Sequence, residues 1–262
     1  MNYRSLECEL DGAVARIWLN RQDVRNALDE VLISEITGAF GELAADAQVR
    51  VVVLGGRGSA FCAGADLHWM RRMASHDIDA NRADALRLAE MLHAIHGCTK
   101  PVIARVHGPA FAGGMGLAAA CDLRVGDPGA LFSLSEVRIG LVPATISPYI
   151  VQAMGLPAAR RYMLTADRLP AREAWRLGFL HELADPGQID NVIDRLSDAL
   201  VAAGPKALAA TKTICDRVGT RMVDLQLMRE TAEWIADARA SSEGREGVGA
   251  FLEKRRPAWA VH

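Results

Sequence analysis

Twice in this chain a β-branched run ends in glycines, passes through a loop of small residues and enters a helical pattern. The first passage is "VRVVVLGGRGSAFCAGADLHWM" (residues 49–70) and the second is "PVIARVHGPAFAGGMGLAAACD" (residues 101–122). Such junctions constrain the fold strongly. A short buried strand running into a helix belongs to a sheet with covered faces, and the glycines let one stretch of backbone approach another. Two such loops at the ends of neighbouring strands can each aim one main-chain N–H at a shared point, and a helix beginning at Gly114 adds its positive end. Donors arranged in this way suit a thioester oxygen that gains negative charge as an enolate. The second passage has another reading. Gly114, Gly116 and Ala119 fit G-x-G-x-x-A, a dinucleotide phosphate loop, and Glu136 lies near the expected acidic position about 20 residues on. That fingerprint normally follows the first strand of its unit, whereas here several elements precede it.

The remaining pattern is that of an α/β chain. "SLECEL" and "AVARIWLN" flank Asp11–Gly12, a hairpin signal. Asp29 is placed to cap a helix whose Leu32, Ile36, Phe40 and Leu43 recur at helical spacing to about Ala47. A longer helix is predicted from Asp77 to His96, stopped by Gly97, and short strands at "CDLRVGD" and "ALFSLSE". After Pro143 most of the chain reads as helix, broken near Gly155, Gly178, Gly204 and Gly219. No internal repeat is visible. The expected division is a βα core over residues 1–190 and a helical section over 191–262.

Composition excludes several function classes. The chain has 262 residues, half of them apolar and 24% charged, with a formal net charge of -2. This balance gives no general attraction to nucleic acid or to a membrane surface. The basic clusters Arg71–Arg72, Arg160–Arg161 and Lys254–Arg255–Arg256 read as solvated faces, and no aromatic-basic motif supports an RNA-binding module. Five cysteines stand singly, which argues against a disulfide framework and a zinc knuckle. His93 and His96 have no convergent ligands, so no metal is expected. No secretory leader or apolar span of about 20 residues is present, and a cytoplasmic protein is expected. A G-x-S-x-G nucleophile elbow is absent. The remaining candidate for proton chemistry is Glu136, directly after an apolar strand, where partial desolvation would draw its pKa upward.

These segments carry a resemblance. "NRQDVRNALD", "GRGSAFCAGADL", "PVIARVHGPAFAGGMGLAAACD", "SLSEVRIGLVP" and "EGVGAFLEKRRPAW" resemble, in order and spacing, the crotonase (enoyl-CoA hydratase/isomerase) superfamily. The resemblance implies a spiral of ββα turns forming two packed sheets, with C-terminal helices for assembly into a trimer or a dimer of trimers. It implies an acyl-CoA thioester substrate and no separate cofactor. The oxyanion donors would be the amides of Ala63 and Gly113, and Glu136 the catalytic carboxyl. Arg25, Ala27, Leu28, Asp66 and Leu67 would line the CoA channel, and Phe251 and Lys254 would reach its nucleotide end. Two-glutamate hydratases carry a further glutamate where this chain has Gly116. "LFSLSEVRIGLVPATISPYIVQAMG", "ADLHWM" and "ARRYMLTA" resemble bacterial 3-methylglutaconyl-CoA and isohexenylglutaconyl-CoA hydratases, whose substrates are branched and carry an extra carboxylate. On that resemblance, Gly116 makes room for the branch and His68, Arg71 or Arg72 meets the carboxylate. A Δ3,Δ2-enoyl-CoA isomerase, which uses a single glutamate, is the alternative.

Overall fold

The computed structural model describes residues 3–260. The chain winds as a spiral, and most turns place one strand in a large sheet and the next segment in a small one. Strands β1 (Leu6–Asp11) and β2 (Val14–Leu19) form the hairpin at Asp11–Gly12, and α1 (Glu30–Ala45) follows, capped by the Asp29 carboxylate on the Leu32 amide. The second turn comprises β3 (Val51–Gly56), α2 (Leu67–Met73) and α3 (Ile78–His96). The third comprises β4 (Val102–Val106), β5 (Pro109–Phe111) and α4 (Gly113–Ala120). The fourth comprises β6 (Leu123–Gly126), β7 (Leu131–Ser133), α5 (Ser147–Met154) and α6 (Leu156–Thr165). Short elements β8 (Leu169–Pro170), α7 (Ala171–Arg176) and β9 (Glu182–Leu183) close the spiral. Four helices complete the described chain: α8 (Ile189–Ala202), α9 (Pro205–Val218), α10 (Leu225–Ala240) and α11 (Ser242–Leu252).

The large sheet runs β1-β2-β3-β4-β6-β9, parallel from β2 onward, and the small sheet runs β5-β7-β8. Both faces of the large sheet are covered, which is why "VVVLGG" is buried throughout rather than alternating. Val52 and Leu54 face the main core under α1 and α3, while Val51 and Val53 face Ile189 and Ile193 of α8. So α8 belongs to the core. A boundary at residue 190 would cut its first turn from the rest. Helix α11 packs mainly on α10 and α9. No helix among the described residues is long and apolar enough to cross a membrane.

The dinucleotide reading does not survive this topology. Gly114 and Gly116 are closed off by protein atoms. A Cβ on Gly114 would clash with the Cys62 carbonyl oxygen and lie 2.9 Å from Cys62 Cβ. Helix α4 therefore rests directly on the loop of the preceding turn. Gly114→Ala should force these backbones apart at a cost of about 2 kcal/mol, seen as a lower urea midpoint at unchanged slope. An unchanged midpoint would mean that α4 does not rest there.

Candidate active site

Three segments from successive turns lie side by side and run in the same direction. Cys62 bridges Ala110 in parallel, and β5 pairs with β7 in parallel, with Phe111 opposite Ser133. Neighbouring strands are about 4.8 Å apart, so residues just beyond the three strand ends share one edge of the small sheet. Ala63 follows the first paired segment directly, Gly113 follows the second after one residue, and Glu136 follows the third after two. The first two loops touch directly, since a Cβ on Gly64 would lie 3.1 Å from the Phe111 oxygen and 3.3 Å from Ala112 Cβ.

Gly113 opens α4, and an amide in the first position of a helix has no acceptor within the helix. The chain turns into α4 at Ala112, which holds φ 47° and ψ -119°, a region costing a non-glycine residue about 1–3 kcal/mol. Leu28 packs onto Gly113 so closely that a Cβ there would lie 2.8 Å from Leu28 Cδ1. The Ala63 amide differs from the expected bare donor. It donates to the Arg25 carbonyl at 3.0 Å. Arg25 and Asn26 both adopt left-handed backbone (φ 54° and 58°), and this turn swings the Arg25 carbonyl onto the loop. One amide of the pair is thus without a main-chain acceptor and the other already has one.

Glu136 begins a 3-10 turn, Glu136–Ile139, just after β7. Its side chain is partly buried, and Oε2 is shielded from water with no hydrogen-bond partner. Burial raises its pKa above the ordinary glutamate range, opposed only by its own backbone N–H. Exposed Ile139, Leu141 and Val142 follow it in the chain.

The remaining sequence-derived candidates divide sharply. Ala27 and Leu28 are core residues, at 6% and 1% exposure, and the Ala27 carbonyl is taken by the Arg21 guanidinium. Arg25 extends its side chain into solvent. The Asp66 carboxylate is fully engaged, capping α2 through the amides of His68 and Trp69 and pairing with Arg21 at 3.1 Å. Burial alone would raise its pKa, but these bonds and Arg21 outweigh it and hold the group below its usual value. Leu67 is exposed. Arg72 is spent on Glu30 in a two-pronged contact at 2.7 Å, so it is not a free cation for a substrate carboxylate. His68 and Arg71 are exposed on α2. Phe251 and Lys254, on and just past α11, are exposed and lie on an element that packs against α9 and α10 rather than against these loops.

Gly116 does not make room for a branched substrate, because that room is filled. A Cβ on Gly116 would clash with Ile146 Cγ2 and lie 2.8 Å from Ile146 Cβ and 3.8 Å from Leu92. Ile146, at 2% exposure, immediately precedes α5 and packs down on α4. Sequence reasoning had no signal for this pairing across 30 residues. It also passed over Asn26, although an asparagine inside a polar loop is a common left-handed residue. Gly116→Glu should lower stability by about 2 kcal/mol or more through overpacking. Combining it with Ile146→Gly should recover part of the summed loss, as contacting sites are not additive. Strict additivity in denaturant titrations would refute the contact.

The profile of the family described as Enoyl-CoA hydratase/isomerase matches residues 9–261. The structure of an enoyl-CoA hydratase from Shewanella pealeana superposes with a TM-score of 0.95 at 41% identity, covering 98% of this chain and 96% of that one. The short-chain-enoyl-CoA hydratase of Clostridium acetobutylicum is 29% identical over 263 residues, 98% of this chain and 97% of the relative. A peroxisomal Delta(3,5)-Delta(2,4)-dienoyl-CoA isomerase of Arabidopsis thaliana is 30% identical over 278 residues, covering 99% and 98%. With one matched profile spanning nearly its whole length, this chain belongs to the enoyl-CoA hydratase/isomerase family.

Proposed function

We propose that the chain adds water to an α,β-unsaturated acyl-CoA through an enolate held at the Ala63–Gly113 edge, with Glu136 as the proton carrier. The observation that supports this reading is the parallel alignment of three turns, after which Ala63, Gly113 and the partly buried Glu136 follow in the chain. The thioester oxygen takes the Gly113 N–H and shares the Ala63 N–H with the Arg25 carbonyl. Water oxygen bonds to C3 while the C2–C3 π electrons move toward the thioester oxygen. The enolate then collapses as a proton reaches C2, with Glu136 passing the proton from water to carbon. Donors fixed before reaction are worth about 3–4 kcal/mol each in such sites.

A second reading is favoured by one specific feature. Ile146 closes the space above Gly116, so position 116 offers no second carboxylate. A Δ3,Δ2-isomerase moves one proton between C4 and C2 and needs only Glu136. Within hydration, we propose a substrate with an extra carboxylate, such as 3-methylglutaconyl-CoA or isohexenylglutaconyl-CoA. This is supported by Arg71 and His68, exposed on the helix that leaves the first loop. We further propose a homotrimer or a dimer of trimers. The supporting observation is the exposure of Met222, Val223, Phe251 and Leu252, at 73–91% in this single chain.

An absorbance assay over crotonyl-CoA, 3-methylglutaconyl-CoA and a 3-enoyl-CoA separates these readings. A 3-hydroxyacyl product supports hydration; conversion of only the 3-enoyl ester to its conjugated isomer supports isomerisation. Glu136→Gln should abolish either reaction while CoA-ester binding persists, and near-normal turnover would remove Glu136 from the mechanism. The sign of the pH dependence follows from the raised pKa. The ionised form that accepts a proton is lost as pH falls through it, so kcat/KM should show an acidic limb above the usual glutamate value of about 4.3. A limb at the ordinary value would contradict the desolvated site.

A further inference from the structure

We propose that Asn26 is a positioning residue for the Ala63 amide, clamping the first loop with its side chain while its neighbour's carbonyl takes the Ala63 N–H. This rests on the reading of Ala63 as a thioester donor. Asn26 is 0% exposed and its amide is satisfied by three bonds. Nδ2 donates to the Arg57 and Ala60 carbonyls, each at 2.9 Å, and Oδ1 accepts from the Arg21 amide at 2.9 Å. Both donors are therefore spent on the loop that ends at Ala63, and the acceptor ties them to the turn that carries Arg25.

The backbone of the same turn completes the clamp. Asn26 N–H donates to the Arg21 carbonyl at 2.9 Å, and two consecutive left-handed residues direct the Arg25 carbonyl to Ala63 N at 3.0 Å. Asparagine tolerates this conformation; arginine has no such preference, so the surroundings impose it. The loop must come close for these bonds to form. A Cβ on Gly56 would lie 2.6 Å from the Phe61 oxygen and 2.9 Å from Asn26 Nδ2. Past Ala63, the loop is held again from the same turn, by Arg21 on Asp66.

The Gly113 donor is held by β7 through the Ala112–Ser133 bond and, through contact, by Leu28, two residues past Asn26. The separation of the two donors depends on how the first loop is seated: main-chain bonds between Phe61–Cys62 and Pro109–Phe111 fix one side of it, and Asn26 fixes the other at residues 57 and 60. A misplacement of about 1 Å at a reacting centre costs about 100-fold in rate.

Two variants separate the side chain's grip from backbone conformation. Asn26→Gly keeps the left-handed φ without strain and deletes the amide. Asn26→Asp keeps the shape but sets an oxygen against two carbonyls. Both should fold, with kcat on the best enoyl-CoA ester reduced about 10–100-fold and KM within about threefold. Amide exchange at Ala63, followed by mass spectrometry or NMR, should accelerate at least about tenfold in both, which needs no turnover to observe. Wild-type kcat in Asn26→Gly, unchanged Ala63 exchange, or unfolding of both variants would overturn the proposal, the last by assigning Asn26 to the core alone. Wild-type protein inactive on every ester, with Ala63 exchange still controlled by Asn26, would instead overturn the functional reading and leave the clamp standing.

Discussion

Parallel pairing between successive turns of the spiral is the constraint on which the site depends. Leu28 bridges Ala65, Cys62 bridges Ala110, and Phe111 faces Ser133. Each of these contacts fixes direction as well as proximity, because a parallel ladder makes strand ends emerge on the same side. The main-chain groups beyond those ends need no side-chain recognition to meet. Register does the placing, and a slip of one residue would turn every side chain over and carry the loops out of alignment.

Close packing then decides how little chemistry that edge carries. Gly64, Gly113 and Gly114 are pressed against Phe111, Leu28 and Cys62, so the two loops are neighbours through backbone rather than through side chains. Ile146 seals the space over Gly116 in the same manner. What remains is one carboxyl, Glu136, held where burial favours its neutral form. Burial raises the pKa of this carboxyl above the ordinary glutamate range, and that shift derives from packing.

The charged residues around the site hold the loops in place. Arg21 is shared between Asp29 and Asp66, and Asp66 is in turn the cap of α2. Among these groups, Asp66 is expected along the CoA channel on the family resemblance. In three dimensions their polar atoms are already satisfied. Arg72 is a similar case, since Glu30 is 42 residues away in sequence and yet takes its guanidinium.

Local signals were legible from the residues alone. The Asp11–Gly12 hairpin, the Asp29 cap, the helix start near Asp77, the stop at Gly97 and the buried strand at 51–56 follow from turn chemistry, capping, helical periodicity and β-branched runs, which act over a few positions. The two glycine loops and Glu136 were also visible, because each lies directly after an apolar run. The repeat of large-sheet and small-sheet strands leaves no sequence periodicity, since each turn varies in length; the family resemblance alone implied it, and tertiary structure decided which strands pair. It also decided that Ile146 fills the space over Gly116, that Arg25 lends its carbonyl to Ala63, and that Asn26 grips residues 57 and 60. Those contacts join positions about 30 to 40 apart. Nothing in the chain's local chemistry encodes which distant atoms will compete for the same volume or the same proton.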